Sequence, residues 1–307
     1  MGLINSIPVI KKQLKNFWRG WARQTITETG LFRLALGTYL LYYYLTLLPD
    51  LLYYFGPNGM VQPSLLPKSC ISLLFVVWTP SAVVILFTLM MILILWFTAG
   101  LLNKKVFLLL IILQASFYNA NPSIINESQP LANLFLLSFL FLPLNAPPVF
   151  FPQKQRSFDE KQLREAKQIV NLLIFFMGLY YFMVGIKKLP DPLWRGGEAV
   201  HYLVNWIPIK KNTILAQIIR ATPLLAKGMT YGTLCFELSF IFLIFTKLRP
   251  LLIIVGMMIH LGINLALEVG TLSQIMMVSY ALLLDERTRG SYAPWWQTLQ
   301  KIKPVST

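Results

Sequence analysis

The chain reads VGIKKLPDPLWRGG over residues 184–197, and this stretch closes an apolar run, residues 168–186, that is long enough to cross a bilayer. Two adjacent lysines, Lys187 and Lys188, follow the run directly. An ammonium group at a membrane boundary either anchors its helix by reaching toward water or takes part in proton chemistry. The role of Lys188 therefore decides whether this protein is an enzyme.

The composition is that of a membrane protein. Of 307 residues, 56% are hydrophobic and 13% are charged, whereas soluble domains average about 25% charged residues. Apolar runs of helical length recur along the chain, so we expect an all-α integral membrane bundle with about eight transmembrane helices. The net charge of +15 is explained by Lys and Arg in cytoplasmic connections, and we expect no nucleic-acid partner.

Hydropathy predicts spans at residues 31–55, 81–102, 106–118, 131–149, 168–186, 229–246, 250–267 and 272–284. Lys and Arg gather before the first span, in alternate connections and in the tail, which indicates that both termini are cytoplasmic. We therefore expect a basic amphipathic N-terminal segment (1–30), a membrane domain (31–285) and a cytoplasmic tail (286–307). The expected location is the cytoplasmic membrane of a bacterium, in contact with membrane lipid.

Residues 187–228 depart from the charge rule, because the predicted topology places them outside although they are rich in Lys and Arg. Residues 198–206 and 213–226 have the pattern of short amphipathic helices, which we expect to lie at the external interface. Their basic residues either attract anionic lipid headgroups or form a cationic lid over an outward-facing site.

Two ionisable residues fall deep inside predicted spans. Glu237 and His260 lie near mid-depth of consecutive antiparallel helices, and Asn264 is one turn beyond His260 on the same face. Ionisable residues at such depth are costly and usually face the interior of the bundle. The pair predicts either a group that holds or relays a proton, or a polar clasp between two helices worth about 1 kcal/mol.

Lys188 likewise has a structural and a catalytic interpretation. A lysine at a helix end usually extends toward the interface and does no chemistry. A partly buried lysine loses its proton easily and can act as a base, and the neighbouring cation Lys187 favours the neutral amine. We expect Glu127, Asp191 and Glu198 to lie within reach of Lys188 if the external segments fold over it.

The few cysteines and histidines argue against metal and disulfide chemistry. The chain has two cysteines and two histidines, at spacings that match neither a metal site nor a disulfide framework. We expect no metal.

The lysine stretch resembles a known motif. Residues 181–189, followed by Trp194 and Gly197, resemble the lysine-bearing motif of the membrane domain of vitamin K-dependent γ-glutamyl carboxylases, within the horizontally transferred transmembrane domain family. The first helix and turn of that family are similar to residues 31–37, 49–50 and 56–59 of this chain. The late helices of that family are similar to the stretches of this chain that contain Glu237, His260 and residues 270–273. The likeness covers residues 31–285, and stand-alone members of the family also resemble proteins that assist maturation of sporulation-delaying toxin peptides.

The resemblance implies a function. In the carboxylases the second lysine of the motif is the base that starts oxygenation of vitamin K hydroquinone, a role that would fall on Lys188, while Glu127 stands near the place of a carboxylase histidine. It implies a lipid quinone, similar to vitamin K hydroquinone, as cofactor or substrate.

Two hypotheses follow. The first is an outward-facing enzyme or peptide-maturation factor acting on a lipid quinone or a secreted peptide. Its catalytic residues would be Lys188, His260, Glu237 and Glu127, and its substrate-binding residues Lys187, Trp194, Arg195 and Asn264. The alternative is a non-enzymatic immunity, export or lipid-binding protein, with Lys188 as an anchor and the mid-depth residues as a clasp. A transporter is less favoured, because the chain shows no inverted repeat.

Overall fold

The computed structural model describes residues 28–61, 70–146 and 158–284. These residues are helical, and apart from one isolated antiparallel bridge between Lys210 and Leu267 they contain no β-structure. The predicted all-α class is therefore confirmed for the described residues. The predicted tail, and all but the last three residues of the predicted N-terminal segment, lie outside them.

Contacts divide the chain into two compact units. Of the described residues, the first unit contains those up to Ile169 and Gly270–Val278, and the second contains Val170–Val269 and residues 279–284. The helices that begin in the first unit are α1 (Glu28–Phe55, with a 3₁₀ turn at Leu48–Asp50), α2 (Pro80–Ala99), α3 (Lys104–Ala120), α4 (Ser128–Ser138) and α5 (Glu160–Lys188).

The second unit contains most of α5, which crosses into it, and a series of short and long helices. The short ones are α6 (Pro192–Gly196), α7 (Ala199–Asn205) and α8 (Ile214–Ala221); the longer ones are α9 (Pro223–Leu243) and α10 (Arg249–Ala266). The last helix, α11 (Leu272–Ser279), begins in the first unit and continues as the 3₁₀ turn Tyr280–Leu283 of the second.

Four of the described helices are long and apolar enough to cross a membrane: α1, α2, α5 and α10. The longest, α5, has 29 residues and at a rise of about 1.5 Å per residue exceeds the thickness of a hydrocarbon core. Residues 131–149 were expected to form one span, but the helix there ends at Ser138 and turns follow as far as residue 146. The expected count of eight crossings stays a prediction.

Two cations of the first unit bind the backbone of the turns that follow α4. The Arg33 side chain is only 2% exposed and donates to the carbonyl oxygens of Leu144 (2.7 Å) and Ala146 (2.6 Å). The ammonium group of Lys104 donates to three carbonyls beyond the end of α4, those of residues 139, 140 and 142, at 2.7–2.9 Å. Each cation satisfies backbone carbonyl groups of the turns at residues 139–146, which have no helical ladder to pair them.

The two predicted amphipathic helices are present as α7 and α8. The second is shorter than expected, because Pro223 opens a new helix, α9, directly after Thr222. The apolar faces of α7 and α8 pack in a core cluster made by Val204, Ala216, Ile219, Ala226, Ala266 and Leu267. The cluster joins α7 and α8 to α9 and to the end of α10.

The segment that enters α8 is tied to the end of α10. The Lys211 ammonium donates to the Asn264 carbonyl (2.8 Å), and the Thr213 hydroxyl donates to the Leu265 carbonyl (2.7 Å). Both acceptors belong to the last turn of α10, where carbonyls have no partner within the helix. These bonds hold the short helices against the long ones.

Candidate functional site

The candidate site lies in the second unit, on one face of α5. Gly178, Tyr181, Gly185 and Lys188 are spaced three, four and three residues apart, so they line up along one side of the helix. The two glycines bring α9 close. A Cβ on Gly185 would lie 3.0 Å from Leu238 Cδ2 and 3.2 Å from the Glu237 Cβ, and one on Gly178 would lie 3.2 Å from Ile241. Small residues permit this close helix packing in membranes.

Lys188 forms an ion pair with Glu237 across this contact. The Lys188 Nζ lies 2.5 Å from Glu237 Oε1, and the two side chains are 21% and 9% exposed. A charged hydrogen bond of this length is strong when it is shielded from water. Lys188 therefore points into the helix contact, and within the second unit Glu237, not Asp191 or Glu198, is its carboxylate partner.

Trp194 covers the same ammonium group. The Lys188 Nζ lies 4.1 Å from the centroid of the Trp194 ring, within the range of a cation–π interaction. The ring is held there by α6, a single turn whose N-terminal N–H groups are capped by the Asp191 carboxylate. Trp194, which we predicted to bind substrate, is thus brought to Lys188.

A second polar group lies on the same face of α5. The Tyr181 hydroxyl is 2.6 Å from His260 Nε2 and 2.6 Å from the Tyr280 hydroxyl, and all three residues are buried. Phe236 and Phe240 pack around Tyr181 at ring distances of 5.3 and 4.6 Å. The three polar groups thus form a hydrogen-bonded chain in apolar surroundings, where such bonds are strengthened.

Gly256 makes room for the hydrogen-bonded Tyr181–His260–Tyr280 group. It lies one turn before His260 on α10, and a Cβ there would overlap the Tyr280 hydroxyl. Any larger residue at position 256 would push Tyr280 away from Tyr181.

The Lys188–Glu237 pair and the Tyr181–His260–Tyr280 group share one face of α5. No hydrogen bond joins Glu237 to His260 directly: Glu237 pairs with Lys188, and His260 pairs with Tyr181. The sequence predicted these two residues as one pair, whereas the structure gives each of them a partner on α5.

One hydrogen-bonding atom on each of these residues has no partner among the described residues. Glu237 Oε2 and His260 Nδ1 are both buried and without a hydrogen bond. Leaving such an atom unpaired costs about 1–3 kcal/mol, so buried unpaired groups often mark a ligand position or a catalytic role. The second oxygen of the Glu237 carboxylate binds Lys188, and the second nitrogen of the His260 ring binds Tyr181.

Three residues that were predicted to bind substrate make none of the contacts described above. Lys187 is exposed, and within the described residues it has no ion-pair partner. Arg195 is also exposed, and its backbone carbonyl accepts a hydrogen bond from Tyr231. Asn264 lies in the last turn of α10, where its carbonyl binds Lys211.

Glu127 belongs to the first unit. It is exposed and stands at the start of α4, where its side chain makes no capping bond. The prediction that it lies beside Lys188 stays a prediction, as does the expectation that no metal is needed.

A cleft of about 640 Å³ opens between α6, α7 and the start of α9. Its polar lining residues are Glu198, His201, Asn205 and Lys227. None of Lys188, Glu237 and His260 lines this cleft.

Sequence reasoning missed Tyr181, Tyr280, Gly185 and Gly256 as parts of the site. A signal was present for two of them. Tyr181 lies two turns before Lys188, and Gly256 one turn before His260, so each shares a helix face with a predicted site residue. Tyr280 gave no such signal, because it belongs to a separate helical turn that only tertiary packing brings near.

No family model, curated protein or solved structure matches this chain.

Proposed function

We propose that the protein is a multi-pass membrane enzyme or peptide-maturation factor with an acid–base site built on Lys188 and Glu237. Its substrate would be a lipid quinone or a secreted peptide that reaches the site from the membrane or from outside. The observation that carries the proposal is the Lys188–Glu237 ion pair, which is largely shielded from water and lies on the same face of α5 as Tyr181, the centre of the Tyr181–His260–Tyr280 group. Ionisable groups inside membrane bundles are functional by default, because their burial is costly.

The pair can move a proton within the site. In a low dielectric, a buried ion pair is easily converted to the neutral amine and carboxylic acid, because burial disfavours both charges. When Glu237 holds the shared proton, Lys188 is a neutral amine that can accept a proton from an acidic O–H or C–H group. Lys188 then becomes an ammonium, and the substrate is left as an anion beside it.

The unpaired atoms suit an oxygen-bearing substrate. Glu237 Oε2 can accept a hydrogen bond from a hydroxyl group, such as that of a hydroquinone. The Trp194 indole offers an apolar surface next to Lys188 for a ring of the substrate. These residues would hold the substrate, while Lys188 would act on its proton.

We further propose the topology in which this site works. Both termini and the connections rich in Lys and Arg would be cytoplasmic, about eight helices would cross the bilayer, and residues 187–228 would lie outside. Four helices of sufficient length and apolarity support the multi-pass part of this proposal.

Replacement of Lys188 tests the catalytic role. The Lys188→Ala variant should lose quinone epoxidation or peptide maturation in cells, while Lys187→Ala, which changes an exposed neighbouring lysine, should keep it. Expression and membrane insertion of both variants would be compared by immunoblot of the membrane fraction. Full activity in a normally expressed Lys188→Ala variant would eliminate the base.

A second function is favoured by the same ion pair. A lysine held between a carboxylate and an indole ring is also a good anchor, as expected for a non-enzymatic immunity, export or lipid-binding protein. Lys188→Arg separates the two functions, because arginine keeps the charge but cannot give up its proton. Retained function in Lys188→Arg would favour the binder, and loss would favour the base.

A further inference from the structure

The hydrogen-bonded chain of the second unit determines where the His260 proton lies. Tyr181 has one hydroxyl proton to donate and contacts two partners, His260 Nε2 and the Tyr280 hydroxyl. The protons can therefore run through the three side chains in two directions. If Tyr181 instead accepted from both partners, its own proton and His260 Nδ1 would both be unpaired.

In the first direction, Tyr280 donates to Tyr181, and Tyr181 donates to His260 Nε2. Both hydroxyl protons are used, and Nε2 accepts. A neutral imidazole then carries its proton on Nδ1, and this N–H is the one group left without a partner.

In the opposite direction, His260 Nε2 donates to Tyr181, and Tyr181 donates to Tyr280. The Tyr280 proton then has no acceptor, because Tyr181 is the hydrogen-bond partner of the Tyr280 hydroxyl in the described residues. Nδ1 is left as an unpaired acceptor as well. This arrangement has two unpaired buried groups where the first has one, so the first is favoured.

A charged imidazole would also carry a proton on Nδ1, but it would be costly here. His260 is 7% exposed, and among the described residues no carboxylate lies within ion-pair distance of its ring. An unpaired cation in such surroundings is unfavourable.

We infer that His260 is a neutral imidazole with its proton on Nδ1, and that this N–H group recognises a carbonyl or oxyanion oxygen of the ligand. The inference rests on the proposed function only in that the ligand is the substrate of the same site. Tyr181 is a positioning residue, because it selects the tautomer through Nε2 and does not itself meet the ligand. The donor on His260 and the acceptor on Glu237 Oε2 together favour ligands that carry oxygen over pure hydrocarbons.

The tautomer can be measured without an activity assay, because the chain has only two histidines. Full-length protein in detergent, labelled with ¹⁵N-histidine and carrying His201→Gln, contains a single labelled imidazole. Long-range ¹H–¹⁵N spectra distinguish the two ring nitrogens by their couplings to the ring protons. We expect Nδ1 to be protonated and Nε2 to be unprotonated, and we expect Tyr181→Phe to shift the population toward a proton on Nε2. A wild-type ring protonated on Nε2, or no change in Tyr181→Phe, would overturn the inference.

Ligand recognition is tested with two matched probes. Acetophenone has a carbonyl where ethylbenzene has a methylene group, and both are titrated into the same labelled protein. We expect acetophenone to shift the Nδ1 resonance and to bind about five- to tenfold more tightly, as one hydrogen bond allows. Equal effects of the two probes, or no effect of either, would overturn the assignment of an oxygen-binding N–H.

These results are separable from the catalytic proposal. If Lys188→Ala keeps full activity while Nδ1 is protonated, the base fails and the His260 assignment stands. If Nε2 is protonated while Lys188→Ala is inactive, the reverse holds.

Discussion

Tyr280 and Gly256 fit directly against each other, since the Tyr280 hydroxyl occupies the space that a side chain at position 256 would fill. A methyl group at position 256 should displace Tyr280 from Tyr181. We expect Gly256→Ala to destabilise the protein by about 1–3 kcal/mol, the usual range for overpacking. The measurement is the thermal midpoint of the purified protein in detergent.

Gly262→Ala is the matched control on the same helix. A Cβ at position 262 meets nothing within 4 Å, so the same substitution should leave the thermal midpoint nearly unchanged. Equal shifts of the thermal midpoint in the two variants would show that the contact between position 256 and Tyr280 does not cause the loss of stability.

Gly185 should determine whether Lys188 reaches Glu237. Gly185→Val places a branched side chain against Leu238 and Glu237, where even a Cβ is tight. We expect α5 and α9 to separate, with about 1–3 kcal/mol of lost stability and loss of the activity that depends on the ion pair. Gly232→Val on α9, where an added Cβ meets nothing within 4 Å, should keep both stability and activity. Normal activity in Gly185→Val would show that the close approach is not needed.

The coupling free energy between Lys188 and Glu237 can be measured by a double-mutant cycle. Lys188→Met leaves a buried carboxylate, and Glu237→Met leaves a partly buried ammonium, so each single change should cost about 2–4 kcal/mol. The double variant should be more stable than the sum of the two predicts, because it buries no unpaired charge. The free energies would come from reversible unfolding in mixed micelles, and simple additivity would show that the two groups do not interact.

Lys104 should stabilise the first unit through the three carbonyls it binds. Lys104→Met leaves those acceptors without the ammonium and should cost about 1–3 kcal/mol. Lys105→Met removes an equal charge from the next position, whose side chain makes no hydrogen bond to the described residues, and should change stability by about 0.5 kcal/mol or less. A comparison of thermal midpoints decides the matter, and similar losses in both variants would point to net charge as the cause.

Part of the site could be predicted from the sequence. The lysine motif, Trp194 and the mid-depth residues Glu237 and His260 were all identified there, because ionisable residues within apolar runs stand out against their surroundings. Their pairing could not be predicted. Helical depth alone suggested that Glu237 meets His260, yet the hydrogen bonds run from Glu237 to Lys188 and from His260 to Tyr181. Depth says how far along a helix a residue lies, but the rotation of that helix decides which neighbour it faces.

By itself, the sequence determined the helical class, the membrane-type composition and most helix positions. These properties depend on local apolar runs and on capping residues such as Asn103 at the start of α3. Only the tertiary structure decided the partners of the buried polar groups. They depend on how closely the helices approach, and the contacts at Gly185 and Gly256 set that approach.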